Sequence, residues 1–512
     1  MKFFSLFFLL TCSSLIVSGQ ASQHVYGRGS GNKIIGAPDG GFFVTGEMYA
    51  NTNGRSFVMK FDSAATLTGL KTYRNLLEFY SYGNDITEIP GEGFLLTGLM
   101  FHDTISNDEI SLTKCDYNGN QIWSKTFGNP LQNDEAKSTV ITSNGYLLGA
   151  YTSGYGPGGE DFLLIKTDTS GNIVWSKNYG TARNEHGLFV LPYQNGYVFG
   201  GNCETASGET DISLLYLDST GNIINNIQLT APADQELFSM DISGDGGIIL
   251  AASTGNGQIN IQSVFIKITS TGNIAWSNTL TDNYSRPQWI HDYVDGIIAT
   301  GTIYTQTQKE NSFIIRIDSF GNITGQDFFG DSSGCQIKSS IRSGDTLINT
   351  GCFIKPGNQD ASIYLNKYMI NDSACNHFIS NFTLHPFIIS LGNPVWQTDQ
   401  PSIPKTDAVV VVTDAFTTDS TLCDFNPYTN EFFFNKNISV SPNPANDRFI
   451  ITFGEINTEM LISIFDMNGK FIRKEKTFNK ETRIDTSELS AGVYSIEIKN
   501  DRNRTIKKLV KQ

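Results

Sequence analysis

The sequence lacks the short motifs that mark common metal-dependent and nucleotide-dependent enzymes. It contains no HExxH pair and no Walker phosphate loop, and its six histidines do not have the spacing of a metal cluster. No CxxC or Cys/His spacing of a zinc site occurs. Ser111-Leu112-Thr113-Lys114 matches S-x-x-K, but it lies in a strand that recurs elsewhere as FLLIK. We therefore expect no cofactor, and nothing in the sequence supports a structural cation.

Positive charge is also scarce. The chain has 36 Lys and Arg against 51 Asp and Glu, a formal net charge of -15. This balance argues against a general nucleic-acid surface, because binding to phosphates needs clustered cations. From Glu431 onward the sign changes, with 14 Lys and Arg against 11 Asp and Glu. The change predicts a domain boundary near residue 430.

Long apolar runs are missing except at the N-terminus. The start, MKFFSLFFLLTCSSLIVSGQ, predicts a secretory signal peptide over residues 1–20, cleaved between Gly19 and Ala21. Cys12 is a poor lipoprotein acylation site, because no small residue precedes it. No later segment reaches the roughly 18 apolar residues that a membrane span requires, so no transmembrane span is expected.

Six of the seven cysteines follow the signal peptide, and an exported protein meets an oxidising environment in which disulfides form. Cys335 and Cys352 flank a strand-turn-strand pattern. Cys375 and Cys423 bracket a segment interrupted by prolines. Each couple is a candidate disulfide, and the sequence does not fix the connectivity.

Glycine-rich motifs repeat along most of the chain. LIKTDTSGNIVWSKNYG, around Gly171, recurs with its Gly-Asn at steps of 49 to 52 residues. A second motif, such as SNGYLLGA, keeps the same period in seven copies, at Gly41, Gly93, Gly145, Gly196, Gly247, Gly296 and Thr346. Each repeat holds four short segments rich in β-branched and aromatic residues between turn residues. This pattern predicts an all-β chain with a seven-bladed β-propeller over residues 23–375; a β-solenoid is disfavoured because its coils are shorter.

The sequence also indicates how the two ends of the predicted propeller are joined. HVYGRGSGN at His24 resembles SKNYGTARN at Ser176, which follows a complete repeat. We expect the N-terminal strand to complete the last blade, which would remove exposed sheet edges. Residues 376–430 are too apolar for a free linker, so we expect extra strands packed on the last blade and then a linker.

The Asp-x-x-Gly-Asn segments suggest either a cation loop or a turn. An EF-hand loop needs glycine at position six and an acid at twelve, and a sialidase-type Asp-box places its acid two residues before glycine rather than three. A hairpin turn needs only an Asp that accepts backbone N–H bonds and a left-handed Gly. We interpret these residues as structural turns: Asp116, Gly119, Asp168, Gly171, Asp218, Gly221, Gly272, Asp318 and Gly321.

Acidic residues stand before the first strand of three successive repeats. Counting back eleven positions from the hairpin glycines gives Asp134, Glu185 and Glu236, with Glu135 and His186 beside the first two. If these positions open on the central mouth, they could bind a polar ligand or act as acid and base on a glycan. The alternative is that each acid binds backbone amides, since repeated positions are usually structural.

DFLLIKTDTSGNIVWSKNYGTARNEHG resembles the short β-propeller repeats of many exported bacterial proteins. The resemblance covers roughly 350 residues, and it implies a fold without a particular activity.

The C-terminal part looks like the type A C-terminal sorting domain of the type IX secretion system. The matching positions are Pro442, Asn443, Pro444, Gly469, Gly492, Tyr494, Lys507 and Lys508. The resemblance implies that residues 435–512 direct export across the outer membrane of a gram-negative bacterium. It also implies release or attachment to surface lipopolysaccharide. Alternating apolar residues in LISIFDMNG and GVYSIEIKN independently predict a small β-sandwich.

Two functions fit these features. The first is a secreted or surface-displayed binding or adhesion module for an extracellular glycan or protein. The second is a glycan-active hydrolase with carboxylates at the propeller mouth.

Overall fold

The computed structural model contains only β-strands as regular structure among the residues that it describes, and it divides into two compact units, Met1–Cys423 and Asp424–Gln512. The described residues are 21–50, 53–75, 78–102, 107–129, 131–256, 259–280, 284–293, 296–304, 310–329, 334–344, 346–354, 361–369, 383–392, 394–403, 405–407, 410–414, 420–425, 439–453, 460–466, 471–487, 489–490, 492–499 and 504–511. The predicted signal peptide, residues 1–20, lies outside them.

The first unit is built from groups of consecutive antiparallel strands. Group 1 contains β1 (Ala21–Gly36), β2 (Phe42–Ala50), β3 (Asn53–Phe61) and β4 (Leu67–Asn75). Group 2 contains β5 (Glu78–Ile89), β6 (Gly93–His102), β7 (Asp108–Cys115) and β8 (Gln121–Phe127). Group 3 contains β9 (Asp134–Thr142), β10 (Gly145–Thr152), β11 (Asp161–Thr167) and β12 (Ile173–Gly180). Group 4 contains β13 (Glu185–Tyr193), β14 (Gly196–Glu204), β15 (Thr210–Asp218) and β16 (Ile223–Thr230).

The remaining groups continue the pattern. Group 5 contains β17 (Asp234–Ile242), β18 (Ile248–Asn256), β19 (Ile259–Ile268) and β20 (Ile274–Leu280). Group 6 contains β21 (Ser285–Tyr293), β22 (Gly296–Tyr304), β23 (Glu310–Asp318) and β24 (Ile323–Phe329). Group 7 contains β25 (Gly334–Ser343), β26 (Thr346–Ile354) and β27 (Ala361–Met369).

The long strand β1 belongs to two groups. Its first half pairs with β27 from Ser22 to Arg28, and its second half pairs with β2 from Gly29 to Gly36. The predicted pairing of the N-terminal strand with the last repeat is therefore confirmed. The shared strand merges groups 1 and 7 into one sheet and protects the outer edge of β27 from solvent.

Each group packs on the next through a hydrophobic cluster. The third strand of group 3, DFLLIKT, is buried along its whole length, as expected for a strand covered on both faces. Similar clusters lie between all successive groups, from groups 1 and 2 to groups 6 and 7. A further cluster joins group 7 to group 1, with Ile348 and Leu365 against Phe42 and Val44.

Every first strand carries a one-residue bulge near its middle. The seven bulged residues are Asn32, Asn84, Lys137, Leu188, Phe238, Gln288 and Lys338. All seven line one cavity of about 890 Å³, so the bulges direct side chains towards a shared space.

An edge segment, residues 383–425, follows group 7 and adds strands to the outer edges of other groups. Its strands are β28 (Leu384–Pro386), β29 (Ser390–Gly392), β30 (Gln397–Asp399), β31 (Lys405–Asp407), β32 (Val410–Asp414) and β33 (Ser420–Phe425). The first five pair in turn with β20, β16, β12, β8 and β4, and β33 pairs with β1. Along the edge segment, the strands thus pair with groups 5, 4, 3, 2 and 1, which is the reverse of the order of the groups in the chain.

This arrangement corrects the expectation that the extra strands pack on the last blade, because five of the six pair with groups 5, 4, 3, 2 and 1. Outer strands offer unpaired N–H and C=O groups in every group, and short segments can satisfy several edges. Apolar side chains of the edge segment also enter the clusters between groups. Trp396 packs on Phe162 at 5.1 Å between ring centroids, and Leu384 and Ile403 join other clusters.

The second unit contains two antiparallel sheets around one core. One sheet has the order β34 (Ser439–Ser441), β35 (Arg448–Thr452) and β38 (Glu481–Asp485). The other has the order β37 (Phe471–Thr477), β36 (Met460–Asp466), β39 (Gly492–Lys499) and β40 (Arg504–Lys511). Phe449 and Ile484 of the first sheet and Ile462 and Ile496 of the second belong to the same hydrophobic cluster.

Candidate binding site at the top face

We call the end of the groups where the first strands begin the top face, and the end with the hairpins between first and second strands the hairpin face. In an antiparallel group the first and third strands begin at the top face and the second strand ends there. Asp134, Glu135, Glu185, His186 and Glu236 all lie at the top face.

Asp134 and Glu185 occupy equivalent, fully buried positions and hold the preceding turn. Asp134 Oδ2 accepts a hydrogen bond from the backbone N–H of Asn129 at 2.7 Å, and Glu185 Oε2 accepts one from Thr181 at 3.0 Å. The equivalent Gln235 accepts the same kind of bond from its own preceding turn. Both carboxylates thus fix the connection between groups.

Burial changes the acidity of these carboxyl groups, because an apolar surrounding disfavours the charged form. It raises the pKa of Asp134 to about 6 and also raises the pKa of Glu185. Burial and the neighbouring Glu185 charge raise the pKa of Asp161, at the start of β11, to about 7. One oxygen of Asp134 and one of Asp161 have no hydrogen-bond partner within the described part of the chain. These groups therefore hold protons more tightly than exposed aspartates do.

Glu236 does not share the position of Asp134 and Glu185, contrary to the alignment on the hairpin glycines. The bulged residue follows Asp134 and Glu185 by three positions but Glu236 by two. Group 5 has one more residue between its bulge and its hairpin glycine, which shifted the count. Glu236 is therefore equivalent to Glu135 and His186.

Glu135 is the centre of a hydrogen-bond network between groups 2 and 3. Its Oε1 accepts hydrogen bonds from Asn84 Nδ2 at 2.8 Å and from Lys137 Nζ at 2.5 Å, and its Oε2 accepts one from the Tyr151 hydroxyl at 2.6 Å. Tyr151 is the second-last residue of β10 and pairs with Glu135 in β9, so both lie at the top face. The network fixes the carboxylate of Glu135 in one orientation.

The network continues into group 4 through His186. The imidazole stacks on the Tyr151 ring at 4.8 Å between centroids, and its Nε2 bonds Oε2 of Glu160. This hydrogen bond lowers the pKa of Glu160. Tyr151 and Glu160 were not predicted from the sequence, although Glu160 is a second acid directly before the repeated third strand.

His186, Glu160 and Glu236 line one cavity of about 560 Å³ at the top face, together with Asn202 and Glu204. Burial raises the pKa of Glu236, while the positive charges of Arg286 and His186 act against this rise. The cavity thus holds one carboxyl group with a lowered pKa and one with a raised pKa. Its carboxylates, amide and imidazole suit a ligand that carries hydroxyl or amino groups.

The described residues contain no group of three or more His, Cys, Asp or Glu side chains that could hold a metal ion. Within the same residues, no helix is long and apolar enough to cross a membrane.

The Asp-x-x-Gly-Asn segments lie at the hairpin face and form closely similar turns. Oδ1 of Asp168 accepts hydrogen bonds from the backbone N–H groups of Ser170 and Asn172, at 2.9 and 2.8 Å. Asp116, Asp218 and Asp318 make the equivalent bonds. The glycines have φ between 77° and 89°, in the left-handed region: Gly119, Gly171, Gly221, Gly272 and Gly321.

In some of these turns the glycine also packs closely against a tryptophan of the preceding group. A Cβ on Gly171 would lie 3.0 Å from the Trp123 ring, and one on Gly221 would lie 2.9 Å from the Trp175 ring. Each tryptophan therefore packs on the turn of the next group, which needs the close approach that only glycine allows.

The candidate disulfide between Cys335 and Cys352 is not formed, and both residues are buried thiols. Cys335 pairs with Phe353 across the hairpin, whereas Cys352 pairs with Gln336. Because side chains alternate between the two faces of a sheet, the thiols point to opposite faces. Cys375 and the side chain of Cys423 lie outside the described residues.

Two positions of the sorting motif, Asn443 and Gly492, contact the last strand of the second unit, β40. Asn443 Oδ1 accepts a hydrogen bond from the Val510 backbone N–H at 2.8 Å, and Gly492 pairs with Lys511. The buried Tyr494 donates its hydroxyl to the Ser490 carbonyl at 2.7 Å. Pro442 and Pro444 flank Asn443, Lys507 and Lys508 lie within β40, and Gly469 is outside the described residues.

Residues 439–512 match the family model described as the secretion system C-terminal sorting domain. The predicted sorting domain is thereby confirmed. The protein is therefore an exported one that interacts with the type IX secretion machinery and reaches the cell surface or the medium.

No curated protein matches the chain. Solved structures similar to it include the polysaccharide lyase Uly1, with 8% identity and a TM-score of 0.42 over 67% of this chain and 90% of that one. Sqt1 from Chaetomium thermophilum has 9% identity and a TM-score of 0.41 over 67% of this chain and 98% of that one. The same protein bound to the N-terminus of ribosomal protein L10 gives 10% identity, a TM-score of 0.39 and coverage of 67% and 97%.

Proposed function

We propose that the protein is a seven-bladed β-propeller that acts as an extracellular binding or adhesion module, followed by a small β-sandwich that directs its export. The repeat near 50 residues, the cavity lined by all seven bulges and the cluster between groups 7 and 1 support the propeller. The common core of the two C-terminal sheets supports the sandwich. No cofactor is needed for this function.

The ligand binds at the top face, at Glu135, His186 and Glu236. The observation that carries this assignment is the top-face cavity, where His186 and Glu236 from different groups meet Glu160. Asp134 and Glu185 support the site by fixing the turns between groups. The ligand is a glycan or a protein segment with donors for these carboxylates.

A glycan-array screen with the full chain tests the assignment. The signal of bound glycan should be at least tenfold lower for the variant His186→Ala than for the unaltered protein. His291→Ala is the matched control, because His291 also pairs with a carboxylate, Asp241, at 2.5 Å, but at the hairpin face. Equal binding by both variants would overturn the top-face site.

Delivery has a separate test. Deleting residues 435–512 should leave the protein in the periplasm, because the sorting domain is lost. Unchanged delivery to the surface would contradict the proposed role of this domain. For the intact protein, we propose that the delivered chain is released or attached to surface lipopolysaccharide.

A second candidate function is glycan hydrolysis at the same cavity. Hydrolysis by two carboxyl groups needs one that keeps its proton and one that stays ionised. The raised pKa of Glu236 and the lowered pKa of Glu160 give this pair. Glu236→Gln should then abolish cleavage of an array-selected glycan while binding persists; absence of cleavage by the unaltered protein excludes this candidate.

A further inference from the structure

A lysine is the second-last residue of the third strand in groups 1, 2, 3 and 5, and in three of these groups it pairs with an acid of the hairpin in its own group. Lys60 Nζ lies 2.9 Å from Asp39 Oδ2 in group 1. The corresponding distances are 2.6 Å from Lys114 to Glu92 in group 2 and 2.7 Å from Lys267 to Asp245 in group 5. The ion pair is thus a recurring feature of the hairpin face.

Group 3 keeps the lysine but not the acid. The hairpin residue directly before Gly145 is Asn144, where group 2 has Glu92 before Gly93. The side chain of Lys166 is buried, and its Nζ donates to the Thr167 carbonyl at 2.8 Å. Burial lowers the pKa of Lys166, which the Asp168 charge only partly offsets. An anion beside Lys166 would supply the charge that the acid supplies in the other groups.

The space beside Lys166 is a cavity of about 590 Å³ between groups 3 and 4. Asn144, Trp175 and Tyr197 line it together with Asn195. Both aromatic rings are half-buried, so each presents part of its surface to the cavity. The walls therefore combine flat apolar surfaces with side-chain amides around one cation.

A second cavity, of about 360 Å³, continues this space towards group 5. Gln194, Asn195, Tyr197 and Ser219 line both cavities. Tyr216, which replaces the lysine in group 4, adds another ring to the second cavity. We call the two cavities together the hairpin groove.

We propose that the hairpin groove binds an acidic oligosaccharide, whose carboxylate or sulfate lies at Lys166 and whose sugar rings lie against Trp175, Tyr197 and Tyr216. A sugar ring has an apolar C–H face that packs on aromatic rings and a rim of hydroxyls that bonds amides. The ammonium group of Lys166 forms the charge-assisted hydrogen bond to the anion. The groove lies at the opposite face from Glu135, His186 and Glu236, so the proposal does not depend on the top-face site.

The variant Asn144→Glu tests the proposal by restoring the ion pair of group 2. Binding of tetragalacturonate and of a sulfated galactan tetrasaccharide to the full chain is measured by calorimetry at low salt, where exposed charges are little screened. The unaltered protein should bind at least one of the two, and Asn144→Glu should weaken that binding tenfold or more. Asn144 is exposed, so the variant should keep its melting temperature.

Three controls test separately whether binding depends on the negative charge of the ligand, on its sugar rings and on the place of the added carboxylate in the protein. The methyl ester of tetragalacturonate has the same rings without the charges and should bind at least tenfold more weakly, as should tetraglutamate, which has the charges without the rings. Ala64→Glu adds the same charge to an exposed turn of group 1 and should leave binding unchanged. The proposal is overturned if neither acidic sugar binds, if Asn144→Glu has no effect, or if the ester or tetraglutamate binds equally well. Loss of binding in His186→Ala but not in Asn144→Glu would assign the sugar to the top face instead.

Discussion

At the hairpin face the same contacts recur from group to group, whereas at the top face the position of Glu135 carries a different residue in almost every group. The recurring contacts are the Asp–Gly turns, the tryptophans on the next turn and the lysine–acid pairs. At the top face, the position of Glu135 is occupied in the other groups by Ser30, Tyr82, His186, Glu236, Arg286 and Gln336.

This difference separates two uses of polar residues in a repeated structure. A contact that every group makes stabilises the group or its packing on the next one, because neighbouring groups meet in the same way each time. A side chain that one group alone provides does not serve this purpose. Asn144 stands out at the hairpin face for the same reason, because it replaces the acid of the recurring lysine–acid pair in group 3.

The largest expected effect comes from breaking a recurring backbone contact at the hairpin face. A Cβ on Gly145, whose φ is 141°, would lie 1.9 Å from the Thr167 carbonyl oxygen, so Gly145→Ala must move the backbone. We expect a loss of about 3–4 kcal/mol in the free energy of unfolding. All five tryptophans lie in the first unit, so urea unfolding followed by tryptophan fluorescence reports on this unit.

The matched control is Gly91→Ala in the hairpin of group 2. Gly91 has φ of 80° but nothing lies within 4 Å of its Cβ position, so only backbone strain of about 1 kcal/mol is expected. Equal losses in the two variants would show that the contact with the neighbouring strand is unimportant.

A smaller effect with a distinctive pH dependence is expected at the top face. The pKa of Asp134 is about 6 in the folded protein and about 3.9 in an unfolded chain. The folded state therefore binds the extra proton between these values, so its stability falls as the pH rises from about 4 to about 6 and levels off above that range. Asp134→Asn removes this loss, so the variant should gain stability relative to the unaltered protein between pH 4 and pH 8, by at most about 3 kcal/mol.

Urea unfolding at both pH values measures this difference. A stability difference between the two proteins that stays constant from pH 4 to pH 8 would contradict the raised pKa of Asp134. The same measurement compares the two faces, because hydrogen bonds lower the pKa of the turn aspartates at the hairpin face, Asp116, Asp168, Asp218 and Asp318.

The turns of the hairpin face could be predicted from the sequence, because each turn depends on residues that lie within five positions of one another in the chain. Asp168 and Asn172 make their bonds within one turn, and local spacing is sufficient to find them. The top face depends on partners about one repeat apart: Asn84 and Glu135 are 51 residues apart in the chain. The register of Glu236 depended on a bulge and an added hairpin residue, neither of which a count from glycines detects. The reverse order of the edge segment likewise results from long-range strand pairing.

The smallest expected effect comes from a single recurring turn. Burial alone would raise the pKa of Asp218, but hydrogen bonds from Asn222 and Thr220 outweigh it and lower the pKa to about 2. The ionised carboxylate thus stabilises the folded state above about pH 4, and this contribution is lost as the pH falls towards 2. Asp218→Asn should lower the free energy of unfolding by about 1 kcal/mol at pH 7.

Urea unfolding at pH 7, 4 and 2.5 measures this difference, and the two proteins should converge in stability at the lowest pH. At pH 7 Asp218→Asn is the less stable protein, whereas Asp134→Asn is more stable than the unaltered protein. A deficit in Asp218→Asn that persists at pH 2.5 would mean that the turn depends on the shape of the side chain rather than on its charge.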